Sequence, residues 1–185
     1  RDPKATAAIG YVKTRVPAES RQLSIVKTSE GTSWGTVYVQ FSQAAKNVAA
    51  AGSGLTIKRE ILSVSRAQCF DKFSHPVFAV GDRVKVRLTI TADRDYDFVQ
   101  VIDKRAACLE PVHQLSGYHH GGYVTPRDTA TNYYYDLLSK GTHVIETEYY
   151  VDRAGTYETG TCVVECAYAP EFRGITPSTM ITVEK

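Results

Sequence analysis

From Arg83 to Ile90 the sequence alternates without a break: Val84, Val86, Leu88 and Ile90 stand against Arg83, Lys85, Arg87 and Thr89. In an extended chain successive side chains point to opposite faces, so the aliphatic set covers a core while the charged set meets water. Val37, Val39 and Phe41 repeat the pattern against Thr36, Tyr38 and Gln40, and Ile145, Thr147, Tyr149 and Val151 do so against Val144, Glu146, Glu148 and Tyr150. Further runs rich in Val, Ile, Thr and Tyr predict strands over Ile9–Thr14, Gln22–Lys27, Leu55–Val64, Asp97–Asp103, Asn132–Leu137, Thr156–Tyr168 and Ser178–Glu184. Turn signals separate them at Val80-Gly81-Asp82, Ala92-Asp93-Arg94-Asp95, Lys140-Gly141 and Ala154-Gly155. Many short strands at this spacing describe an antiparallel sandwich, not a set of βαβ units.

The one helix-compatible stretch is Ser42–Ala51, where alanines cluster, and Gly52-Ser53-Gly54 limits it to about one turn. This places a linker at 43–54 between a short strand-rich piece, 1–42, and a longer one, 55–185. The first piece offers too few strands to bury a core by itself. The chain also opens on Arg1-Asp2-Pro3 without Met or a signal region, so 1–42 is expected to be the closing part of a domain whose other strands lie upstream. Hydrophobic residues at 43% suit a folded domain, and a net charge of +2 is too small to serve as a footprint for nucleic acid or an anionic membrane. No run approaches the roughly 18 apolar residues of a membrane helix.

Candidate chemistry is sparse. In Cys108-Leu109-Glu110-Pro111 a Gln at the fourth position would allow the thiol to close an internal thioester, but Pro111 has no side-chain carbonyl to acylate the sulfur. Cys108 beside His113, His119 or His120 lacks the paired spacing of a zinc site and a third group to orient a hydrolase base, which leaves a structural thiol. His119-His120-Gly121-Gly122 reads as a polar loop tip. Cys162 and Cys166 fall on one face of a strand about 13 Å apart, too far to bridge. Asp93, Asp95 and Asp97 alternate as calcium ligands do, yet Phe98 holds the sixth place where such loops need Gly, so a charged hairpin turn is expected. The tyrosines at 133, 134, 135, 149 and 150 have no basic residues interleaved and suit cross-strand packing in a sandwich.

The run GDRVKVRLTITADRDYDFVQVIDKRAACLEPV from Gly81, then LSGY, then TNYYYDLLSKGTHVIETEYYVDRAGTYETGTCVVECAYAPEF, closely resembles the C-terminal macroglobulin-like domain of bacterial alpha-2-macroglobulin-family proteins. The similarity covers Leu55 to about Phe172, and TSEGTSWGTVYVQF at Thr28–Phe41 looks like the end of the CUB-like segment that precedes that domain. The resemblance implies an all-β chain: an antiparallel macroglobulin-type β-sandwich over 55–185, preceded by a few strands of an incomplete CUB-like domain over 1–42. It further implies a non-catalytic part of an extracytoplasmic protease-trapping protein of the periplasm or cell envelope, often lipid-anchored. No metal or cofactor is implied. Its partners would be other domains of the same parent chain and, through the whole protein, target proteases; any membrane contact would come through an anchor outside this segment. In such relatives the last domain leans on an upstream thioester domain and shields the bond with a Tyr. Tyr168 in Ala167-Tyr168-Ala169-Pro170 matches it, while Ala167 lacks the larger apolar side chain expected beside it, and Pro170 completes the motif. The rival reading is a surface adhesin or glycan-binding sandwich that uses the Gly117–Pro126 loop and its tyrosines.

Overall fold

The structure, a computed structural model, describes residues 12–185. The chain separates into two units at Gln40/Phe41. In the first, among the described residues, a turn closed by Ser20 N–H on Pro17 O is followed by chain without regular secondary structure, and no strand forms. The strands expected over Gln22–Lys27 and Val37–Phe41 are therefore absent; of the one expected over Ile9–Thr14, the first half lies outside the described residues and the described half, 12–14, is not strand. The physical reason is the lack of a neighbour: a strand without a paired edge satisfies none of its backbone groups and buries neither face. Trp34 is 94% exposed, and Val37, Tyr38 and Val39 are open as well.

In the second unit the alanine-rich stretch yields only a 3-10 turn, Ala45–Asn47, because one turn cannot repay the cost of helix nucleation. Fifteen strands follow: β1 Ala51–Ser53, β2 Leu55–Ser63, β3 Cys69–Phe70, β4 Pro76–Ala79, β5 Arg83–Ala92, β6 Tyr96–Lys104, β7 Leu109–Pro111, β8 Gly117–His119, β9 Gly122–Pro126, β10 Ala130–Leu138, β11 Gly141–Val151, β12 Gly155–Glu158, β13 Cys162–Cys166, β14 Ala169–Thr176 and β15 Met180–Glu184. Eleven of them pair in the order β7-β11-β5-β2-β1-β14-β13-β6-β10-β9-β8, and four form a smaller sheet, β12-β15-β4-β3. Pairing is antiparallel except between β15 and β4. The segment 43–54 thus contributes β1 to the sandwich.

The long sheet folds over on itself. Tyr133 of β10 and Thr147 of β11 are far apart in strand order, yet their hydroxyls meet at 2.6 Å, and Thr131 meets Tyr149 at 2.8 Å. Two faces of one sheet therefore enclose a single core, which holds Val84, Val86, Leu88 and Ile90 from one layer against Val99, Val101, Tyr133 and Val164 from the other. Each such aliphatic burial contributes about 1.5–3 kcal/mol. Where β1 pairs with β14, Gly52 and Gly174 leave room for the close approach of the β2 backbone: a Cβ on Gly52 would lie 2.6 Å from Leu55 O, and one on Gly174 2.9 Å from the same atom. Burial drives the hydroxyls of Tyr133 and Tyr149 far above the usual phenol range, so both remain neutral partners of their threonines.

The strand expected over Thr156–Tyr168 is split into β12 and β13. Its break at Thr159-Gly160-Thr161 has a cause in the core. Gly160 takes φ +69°, and the Thr159 hydroxyl and Gly160 carbonyl turn toward Arg59 instead of joining a ladder.

Candidate functional site

Strands β13 and β14 form a hairpin whose two-residue turn is Ala167-Tyr168, with Cys166 opposite Ala169. Neither turn residue has a positive φ, so the hairpin does not use the mirror-image turns that match strand twist, and a register shift at Glu165/Cys166 accommodates it. The turn is fixed to β6 in two places: Ala167 N–H donates to Phe98 O at 2.8 Å, and Cys166 Sγ donates to Asp97 O at 3.1 Å. From this fixed turn the Tyr168 side chain projects outward, 82% exposed. Ala167 and Pro170 are also exposed, so the three residues of the predicted motif lie together at one corner of the sandwich.

A residue that sequence reasoning missed completes the corner. The Phe98 ring lies 5.3 Å from that of Tyr168 at 88°, an edge-to-face pair, and Phe98 is itself 51% exposed. Beside Tyr168 stands this large apolar ring of β6, while its sequence neighbour Ala167 is small. Phe98 has φ +54°, a left-handed conformation that costs a side-chain-bearing residue about 1–2 kcal/mol. The effect on the strand is a slip of phase. Tyr96 points inward, Asp97 and Phe98 both lie open, and Val99 is buried again; on β10 Asp136 and Leu137 break the pattern at the same level, between buried Tyr135 and Leu138. A signal was available in Asp95-Tyr96-Asp97-Phe98-Val99-Gln100-Val101, where Phe98 shares parity with Tyr96 but not with the valines.

At the other end of β13 a buried ion pair anchors the strand. Arg59 donates to Asp103 Oδ1 at 3.0 Å, Lys104 O at 2.9 Å, Thr159 Oγ1 at 2.7 Å and Gly160 O at 2.5 Å. The two side chains are 4% and 2% exposed. One guanidinium thereby ties β2, the end of β6 and the turn before β13. Burial pushes the Asp103 carboxyl above the usual carboxylate range, against the opposing pull of Arg59.

The remaining candidates are structural. Cys108 is fully buried, and burial pushes its thiol up to about 11, so at neutral pH it is a protonated core group and not a nucleophile. Cys162 and Cys166 are buried and unbridged on one face of β13, while Cys69 is exposed. The native chain is accordingly expected to titrate one thiol with a disulfide reagent at pH 8 and all four after denaturation; a second fast-reacting thiol in the native state would contradict this packing. His120 and Gly121, both at positive φ, form the tight turn between β8 and β9. This hairpin borders a cleft of about 440 Å3 that also involves His113, Glu146 and Glu148. Glu146 is held by Lys85 and Arg87 and Glu148 by Arg83, and among the described residues no three His, Cys, Asp or Glu side chains converge as metal ligands. Asp93 accepts from Tyr96 and Arg94, and Asp95 caps the Lys140 N–H, which is the chemistry of a turn.

Comparison with known proteins gives concordant results. The family model described as the bacterial alpha-2-macroglobulin MG10 domain matches residues 54–171, well over half of the chain. Among solved structures, trypsin-activated alpha-2-macroglobulin from Escherichia coli superposes with a TM-score of 0.61 at 19% identity, covering 75% of this chain and 11% of that one. Salmonella alpha-2-macroglobulin reacted with methylamine gives 0.59 at 22%, covering 74% and 10%. Native Escherichia coli alpha-2-macroglobulin from domain MG7 to the C-terminus gives 0.60 at 19%, covering 74% and 24%. The chain thus spans between 10% and 24% of the length of these relatives, and at such identities the likeness is one of fold. No curated protein matches the chain.

Proposed function

The chain belongs to the bacterial alpha-2-macroglobulin family, and from that premise we propose that it serves as the domain of a protease-trapping envelope protein that leans on an upstream thioester domain and shields its bond. It does no chemistry of its own. The observation that carries this reading is the Tyr168 corner: a large ring held out from a doubly anchored turn, 82% exposed, where the isolated domain gains almost nothing from it. A thioester survives only where water and amines are kept away, and a rigid aromatic is suited to closing such a site. Two relatives support the wider reading. One is described as reacted with methylamine, which is what an activated acyl group does with a small amine, and another as activated by trypsin. On the same reading residues 1–42 would become closing strands of a CUB-like domain once strands of the rest of the parent pair with them, which would also cover the open Trp34, Val37 and Val39. The same reading makes the parent a protein of the periplasm or cell envelope, with any lipid anchor outside this segment.

The test is to install a photoreactive phenylalanine at position 168 of the full-length parent and irradiate the native protein. The expected product is an intramolecular cross-link to a peptide beside a Cys-x-x-Gln sequence. Cross-linking only to solvent, to another molecule or to a remote domain would contradict the docking.

A further inference from the structure

We propose that Phe98 is the positioning residue that holds Tyr168 in its shielding orientation; the proposal rests on the lid reading of Tyr168 and names the group that makes the lid rigid. A side chain as exposed as Tyr168, on a two-residue turn, has little to fix its rotamer, and a loose ring excludes water poorly. Phe98 is its aromatic neighbour, edge to face at 5.3 Å. The same residue also holds the turn by its backbone, since Phe98 O accepts the Ala167 N–H at 2.8 Å. Ring and carbonyl of one residue thus grip both the side chain and the main chain of the lid.

The conformation of Phe98 argues that its ring is not there for folding. It is half exposed, lies outside the buried core cluster, and occupies a left-handed backbone conformation that Gly would adopt without strain. Strain of this kind persists where surrounding structure imposes it, and it concentrates at functional positions. Among the described residues the other non-glycine positive φ values are at Ser74 and His120, both in turns between strands, whereas Phe98 lies inside one. A mid-strand aromatic that disrupts its own alternation in order to reach the lid is what a positioning role requires.

Phe98→Gly separates the two possibilities, because it keeps the carbonyl acceptor, relieves the backbone and deletes only the ring. In the 185-residue chain the melting temperature should stay within about 2 °C of wild type or rise. The Tyr168 ring protons should lose the ring-current shift imposed by Phe98 in NMR spectra. In the full-length parent the release of free thiol from the thioester should accelerate about tenfold, and Phe98→Tyr should restore both the shift and the slow release. A large fall in melting temperature, or unchanged Tyr168 resonances, would make Phe98 structural and overturn the proposal. If Tyr168→Gly accelerates release while Phe98→Gly does not, Phe98 is not the positioning group and the lid reading stands. If neither variant accelerates release, or the parent has no Cys-x-x-Gln, the lid reading fails and this proposal with it.

Discussion

Arg59→Met is expected to destabilise the sandwich by about 3–5 kcal/mol, because it leaves Asp103 charged, buried and without its partner. The same change strips donors from Lys104 O, Thr159 Oγ1 and Gly160 O, each of which then bears part of the cost of an unmet hydrogen bond. Pairing it with Asp103→Leu removes the stranded charge, so the double variant should recover at least half of the loss, and urea unfolding with an unchanged m-value is the measurement. The dependence on pH has a definite sign. A carboxyl whose folded-state pKa is raised binds its proton more tightly in the folded than in the unfolded chain. Its favourable contribution is therefore complete below the unfolded value of 3.8 and is lost as pH rises through the folded value. Without Arg59 the folded value rises further, so the deficit of Arg59→Met should deepen as pH rises above the unfolded value and shrink on acidification. A single variant within about 1 kcal/mol of wild type at pH 7 would show that the pair does not anchor β13.

The long strands were legible because one face of each is buried and the other wet. Val84 to Ile90 and Ile145 to Val151 carry that difference in every second residue, and they appear as β5 and β11. The same alternation at Val37, Val39 and Phe41 predicts a strand that the structure lacks, since periodicity tells which face a strand would bury and not whether a neighbour is present to pair with it. β14 was not anticipated because Pro170 and Gly174 weaken its local signal, and Gly174 is there for the close crossing of Leu55 and Thr56. The split at Thr159-Gly160-Thr161 was hidden for a related reason. It depends on Arg59, 100 residues away from Thr159 in sequence. At the candidate site Tyr168 was legible only through the family resemblance, as nothing in composition marks one tyrosine among 12. Phe98 could have been found from the broken parity of β6, but its meeting with Tyr168 is set by the register of β13 on β6, which pairs Cys166 with Val99.

Tyr168→Ala is the substitution expected to have the largest functional effect in this domain, and its two consequences should separate. A ring that is 82% exposed contributes little to the sandwich, so the isolated chain should lose no more than about 1 kcal/mol, the edge contact with Phe98 included. If Tyr168 has the proposed shielding role, deleting the ring in the parent opens a path for water to the thioester, and hydrolysis should accelerate by roughly 10- to 100-fold. The decisive comparison is the time course of free-thiol release from full-length wild type and Tyr168→Ala under native conditions, with the melting temperature of the 185-residue chain as control. Fast release from the variant with a nearly unchanged melting temperature is the predicted result; release at the same rate from both proteins would contradict the claim that this domain shields a thioester.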